Sequence, residues 1–152
     1  MSAIGSVIAC YESGMEAMQN KQYSRAARYF LGCSLYYENG ELPYFFRQVK
    51  EYGEDAMDKY YECEGKLSTE ERIALEEKLS KYNRGGWRER ASNIITTITE
   101  EQLEEALEEA KRELESVPQN ESSDNPASLE KRIKELEENL KWIRERLNGT
   151  AQ

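Results

Sequence analysis

The chain has 152 residues, enough for one domain or one domain with an appended helix, and its 38% hydrophobic content supports a modest core. Its 30 acidic residues outnumber 21 basic ones, giving a net charge of -9, which argues against direct nucleic-acid binding and against attraction to an anionic membrane surface. Histidine is absent, which removes the usual general base near neutral pH, the Ser-His and Cys-His nucleophile pairs and histidine-bearing zinc sites.

Apolar spacing predicts a first helix near 3–20, with Ile4, Val7, Ile8, Tyr11, Met15 and Met18 on its buried side. The opening run MSAIGSVIAC is short and has no basic leader, so no signal peptide is expected. Asn20-Lys21-Gln22 forms a turn into a second helix near 23–37, which offers Tyr23, Ala26, Ala27, Phe30, Leu31, Cys33 and Leu35 for burial and ends at Asn39-Gly40. A third helix begins near Pro43 and continues to about 64, with Phe46, Val49, Gly53, Ala56, Tyr60 and Cys63 on one stripe. Gly53 inside that helix costs roughly 1 kcal/mol against alanine, and a close helix crossing would account for it.

Ser68 and Glu71 form a capping box that opens a fourth helix, which reaches about Tyr82 and stops at Gly85-Gly86. A fifth helix, about 87–98, buries Trp87, Ala91, Ile94, Ile95 and Ile98; Thr99 with Gln102 forms a second capping box, for a sixth helix over about 100–117. Residues 118–125 read as a polar linker, and Asn125-Pro126 starts a last helix running to about 148. Leu129, Ile133, Leu136, Leu140, Ile143 and Leu147 recur there at alternating steps of four and three. That is a heptad seam, able to fold back as an antiparallel hairpin or to self-associate as a coiled coil.

Aromatic residues divide the chain. Nine of the ten tyrosines and all three phenylalanines precede residue 65, so residues 1–65 read as a three-helix core, 66–117 as additional amphipathic helices and 126–148 as the heptad helix. Within residues 7–40, Gly14, Ala26, Phe30 and Cys33 describe two antiparallel helices packed closely enough that a larger side chain at Gly14 or Ala26 would collide.

That segment resembles a single tetratricopeptide repeat, a helix-turn-helix unit with a small residue in its first helix and an A-x3-F run in its second. Gly14 stands at the small position, Ala26 to Phe30 supplies the run, and Tyr23 and Cys33 match an aromatic and a small position. The family's Trp, Leu and first-helix Tyr fall instead on Cys10, Ser13 and Ala17, and its closing Pro near Glu38. One repeat further on, Gln48, Tyr60 and Glu64 break the pattern, so one repeat is present. With the third helix added, residues 3–64 are also similar to the microtubule-interacting and trafficking domain, and Gln48-Val-Lys-Glu-Tyr52 followed by Ala56 looks like its third helix. Both resemblances imply a three-helix bundle whose groove holds a partner helix or peptide.

No reaction is legible. Cys10, Cys33 and Cys63 lack CxxC spacing and read as buried, reduced thiols of a cytoplasmic protein. Glu104, Glu105, Glu108 and Glu109 read as a solvated helix face. Arg84-Gly-Gly-Trp87-Arg88-Glu-Arg90 lacks the glycine order of a phosphate loop, and Trp87 reads as core. No stretch approaches the ~20 apolar residues of a membrane span. The sequence therefore predicts an all-α protein without catalytic, cofactor or metal residues. Its expected role is that of an adaptor or assembly factor, with Tyr23, Tyr37, Tyr44 and Arg47 as candidate partner contacts. The alternative is a homo-oligomeric scaffold joined through Leu129, Ile133, Leu136, Leu140, Ile143 and Leu147.

Overall fold

A computed structural model describes residues 3–40, 47–81, 85–117 and 125–151. The described residues form helices and no strand: α1 (Ala3–Gln19), α2 (Tyr23–Asn39), α3 (Arg47–Gly65), α4 (Thr69–Lys81), α5 (Trp87–Ser116) and α6 (Asn125–Ala151). The fold is all-α, as the periodicities predict. Pro43, expected to open the third helix, lies outside the described residues, as do Tyr44 and Tyr82. The chain divides into two compact units, Met1–Ile95 and Thr96–Gln152, and α5 runs from the first into the second. The first unit thus extends past residue 65 to take in α4 and the opening turns of α5.

In the first unit α2 is the central helix. It packs antiparallel to α1 on one side and to α3 on the other, while α1 and α3 meet less extensively. Gly14 leaves α1 bare where the Phe30 ring lies; a Cβ there would come within 2.8 Å of two ring carbons. Phe30, Ala26 and Ala27 are fully buried. Further along the same crossing the Cys33 thiol donates to the Val7 carbonyl at 3.4 Å. The α2–α3 crossing repeats the device: Gly53 lies beneath the Tyr37 ring, which occupies the space a Cβ would need. The mid-helix glycine therefore does mark a close approach. Tyr11 joins α1 to α3. Its ring stacks on Tyr52 at 4.0 Å between centroids and meets Phe30 edge-on at 5.6 Å, and its hydroxyl donates to Asp55.

The α1–α2 turn closes in a Schellman arrangement. The Gln22 amide donates to the Ala17 carbonyl and the Lys21 amide to the Met18 carbonyl, both at 2.9 Å. This geometry requires a left-handed residue after the helix, normally glycine, and Lys21 fills it at φ 60°.

The capping box at α4 forms as expected. The Ser68 hydroxyl accepts from the Glu71 amide and the Glu71 carboxylate accepts from the Ser68 amide, each at 3.1 Å. Leu75 then enters the apolar cluster around Phe30, Ala17 and Cys63, a burial that contributes about 2 kcal/mol.

The second capping box does not break the chain. The helices expected at 87–98 and 100–117 are one helix, α5, of 30 residues. Cap chemistry ends a helix only where the backbone has reason to leave it, and no glycine or proline stands between Trp87 and Val117. Threonine is tolerated inside a helix because its hydroxyl bonds back to the preceding turn. The first turns of α5 belong to the first unit: the Trp87 ring meets Tyr36 edge-on at 5.7 Å, and Ile95 packs on the cluster of Val7, Cys10 and Cys33.

In the second unit α5 and α6 pair antiparallel. The Arg144 guanidinium of α6 reaches Glu104 at 2.7 Å and Glu100 at 3.6 Å, both on α5. Leu140, Ile143 and Leu147 are buried, whereas Leu129, Ile133 and Leu136 are only half-buried. The heptad seam is therefore closed within the chain over its C-terminal half. At the other end Val117, Leu129 and Arg132 line an open cleft.

Two expectations follow from the helix crossings and the turn. Gly14→Ala and Gly53→Ala each destabilise the protein by about 2 kcal/mol, because an aromatic ring must move, although alanine is the better helix former. Gly65→Ala, where an added Cβ meets nothing, is neutral or stabilising in the same urea titration. Lys21→Gly relieves the left-handed strain and raises stability by about 1 kcal/mol, read as a higher urea midpoint.

Candidate functional site

The candidate site is the surface of the first unit formed by α1, α2 and α3. Its floor is aromatic. Ala26, Phe30, Cys33 and Tyr37 follow one another along α2 at steps of four, three and four, so they form one stripe. That stripe faces both neighbouring helices: Phe30 lies on Gly14 of α1, Tyr37 on Gly53 of α3, and the Cys33 thiol lies 3.4 Å from the Val7 carbonyl and 4.0 Å from that of Tyr52. Between α1 and α3 the half-buried Tyr11, Tyr52 and Asp55 leave edges accessible to solvent.

The expected contact residues occupy different environments. Tyr23, at the start of α2, is half-buried on the Phe30 cluster, with the Lys66 ammonium 5.0 Å from its ring centroid. Tyr37, near the other end of α2, is half-buried on Gly53 and acts as a packing residue of the α2–α3 crossing. Fourteen residues of helix separate the two, about 21 Å along the axis, so they do not share one spot. Arg47 is exposed at the start of α3 and pairs with Glu51 at 3.0 Å. Tyr44 lies outside the described residues.

Other side chains stand out in the structure although sequence reasoning did not select them as contacts. Tyr61 of α3 and Trp142 of α6 are each 60% exposed, and Ile73 of α4 is 52% exposed. The Tyr61 ring meets that of its neighbour Tyr60 edge-on at 5.5 Å. Trp142 sits off the heptad positions, with the Arg146 guanidinium 5.7 Å from its ring. In the basic cluster of α5, Arg88 lies 5.2 Å from the ring of its neighbour Trp87.

The potentially reactive groups are turned inward. Cys10, Cys33 and Cys63 are free thiols and all buried. Burial pushes Cys10 and Cys63 up to about 11 and Cys33 to about 12, the last also through its nearness to Cys10. The thiolate is the nucleophilic form, so these cysteines are held in their unreactive state. Burial, with Glu64 beside it, raises Tyr60 to about 12, and burial with the Asp55 carboxylate raises Tyr11 further. Among the described residues no group of three or more Cys, Asp or Glu side chains is placed to hold a metal ion, and no helix is long and apolar enough to cross a membrane.

Compared with known proteins, the chain matches no family model, no curated protein and no solved structure.

These buried acids set an alkaline limit. The folded protein holds the thiol and phenol protons more tightly than the unfolded chain does, since their pKa values are raised from 9.0 and 10.0. The stability they contribute is complete below pH 9 and is lost as pH rises from about 9 towards 12. Thermal melts followed by circular dichroism should be level in this respect from neutral pH to about 9 and fall steadily above it. Cys33→Ala, which removes the most strongly shifted thiol, should flatten that fall.

Proposed function

We propose that the chain is a non-enzymatic protein-interaction module whose first unit receives a partner helix or peptide between its helices. The observation that supports this reading is the way α1, α2 and α3 are fixed. Glycine–aromatic contacts at both crossings make a stiff scaffold, and the thiols and, among the described residues, most aromatic rings are used to build it rather than presented to a substrate. Tetratricopeptide-like and microtubule-interacting-and-trafficking-like units, which residues 3–64 resemble, use a scaffold of this kind to hold other proteins. A net charge of -9 favours a partner with basic residues beside its apolar face. Of the expected contacts among the described residues, Arg47 is the exposed one, and the half-buried Tyr23 has the Lys66 ammonium over its ring. A cytoplasmic setting suits the three reduced thiols.

The alternative role, a homo-oligomeric scaffold, would use what the α5–α6 pairing leaves uncovered: the half-buried Leu129, Ile133 and Leu136 and the exposed Trp142. Leu140, Ile143 and Leu147 are already buried.

Cross-linking and affinity capture from the native host test the first reading. A defined partner should be recovered with the wild-type chain, and its recovery should fall several-fold with Arg47→Glu while circular dichroism stays unchanged. Equal recovery with Arg47→Glu and Tyr23→Ala moves the binding surface elsewhere. A concentration-dependent dimer in light scattering, abolished by Ile133→Asp with Trp142→Ala, would favour the scaffold.

A further inference from the structure

α4 is lightly held. Of its 13 residues, Leu75 alone is buried, at 1% exposure, Leu79 one turn later is half-buried, and the other eleven are exposed. The two leucines lie four apart and so share a face. They enter an apolar cluster to which all three bundle helices contribute, Ala17 from α1, Ala26 and Phe30 from α2 and Cys63 from α3, with Leu67 of the α3–α4 connection also buried in it and Tyr23 and Tyr60 at its edge. α4 meets α2 far less extensively than α1 or α3 does.

The helix supplies its own N-terminal cap. Its capping box, Ser68 with Glu71, lies within its own first turn, and the Arg72 guanidinium anchors to the Glu64 carbonyl at 3.1 Å on the exposed side. Glycines flank it. An added Cβ at Gly65 would meet nothing within 4 Å, and Gly85, at φ +73°, is followed by Gly86. A helix of this length is marginal by itself in water, so its order depends on the leucine anchors.

We infer that the pocket of Ala17, Ala26, Phe30 and Cys63 is a docking site for an amphipathic helix carrying leucines at i and i+4, and that α4 is its exchangeable in-chain occupant. The partner is a helix of α4's own chemistry, two leucine anchors on a charged polar helix, because α4 is what the pocket demonstrably fits. Exchange replaces Leu75 and Leu79 by the partner's pair and leaves the Gly14–Phe30 and Gly53–Tyr37 contacts untouched. This inference rests on the first unit being a receptor for a partner helix, and it names the pocket and the mechanism by which the unpartnered chain covers it.

Hydrogen exchange on the unmodified full chain gives the first test. The amides of α4 should exchange about 100-fold or more faster than the buried amides of α1 and α2, showing that α4 opens while the bundle stays closed. In the second, a labelled peptide with the sequence of Ser68–Lys81 is titrated into the full chain and into its Leu75→Asp variant, whose α4 cannot re-enter an apolar pocket. The variant should bind the peptide about 10-fold or more tightly than the wild type, and a Leu75→Ala change in the peptide should abolish the difference. Exchange of α4 at the rate of global unfolding overturns the inference. So does loss of the α1–α3 fold in Leu75→Asp, or equal peptide binding by the two chains. If both tests succeed but no host protein is captured, the partner role fails while the exchangeable pocket stands.

Discussion

The contact on which the first unit depends is the Phe30 ring lying against the bare backbone of α1 at Gly14. An aromatic ring fully withdrawn from water contributes more than any other side chain in this core, but only if a neighbouring helix comes close enough to cover it. A glycine on α1 permits that approach. The same solution recurs two turns along α2, where Tyr37 covers Gly53 of α3. Because both rings belong to one stripe of α2, the spacing of α1 and α3 from the central helix is set by backbone-to-ring contact at both crossings. Flexible aliphatic side chains would leave these crossings less closely fixed. Tyr11 closes the triangle, touching Phe30 and Tyr52 and donating to Asp55.

Features that depend on residues close in sequence were legible before any coordinates. The Ser68–Glu71 capping box involves two residues three apart, and its pair of hydrogen bonds forms as the pattern implies. Helix type followed from periodicity throughout, and the closeness of α1 to α2 followed from Gly14 and Ala26. What was not legible involved choices between distant partners. Gly53 announced a close crossing without naming Tyr37, so Tyr37 read equally well as a surface contact. The heptad pattern of α6 fixed which side chains share a face and left open whether that face closes on α5. Arg144, placed to meet Glu100 and Glu104, belongs to the intramolecular pairing, but its partners lie some forty residues away.

One local misreading has a local cause. Thr99 and Gln102 match a capping box, yet the backbone continues through them. A cap satisfies donors that a helix end has already exposed and does not create the end. At Lys21 the opposite holds: the helix does stop, in a geometry that normally announces itself by glycine, and a lysine accepts the left-handed conformation instead. The turn itself is legible at Asn20-Lys21-Gln22; its left-handed geometry is not, because lysine has no preference for that conformation.

The two units also distribute their apolar surface differently, and this bears on where function resides. In the second unit the best-buried seam residues are Leu140, Ile143 and Leu147, and Trp142 is left as a single exposed aromatic. Isolated exposed apolar side chains are ordinary on folded proteins and do not by themselves define a surface. In the first unit the apolar cluster is built by three helices that fix one another through Phe30, Tyr37 and Tyr11, while a fourth inserts Leu75 and packs Leu79 against it. A core whose walls are fixed by ring-to-backbone contacts and whose cover hangs on two leucines differs from a core closed on all sides. If the walls keep their shape when the cover leaves, the physical requirement for a binding pocket is met.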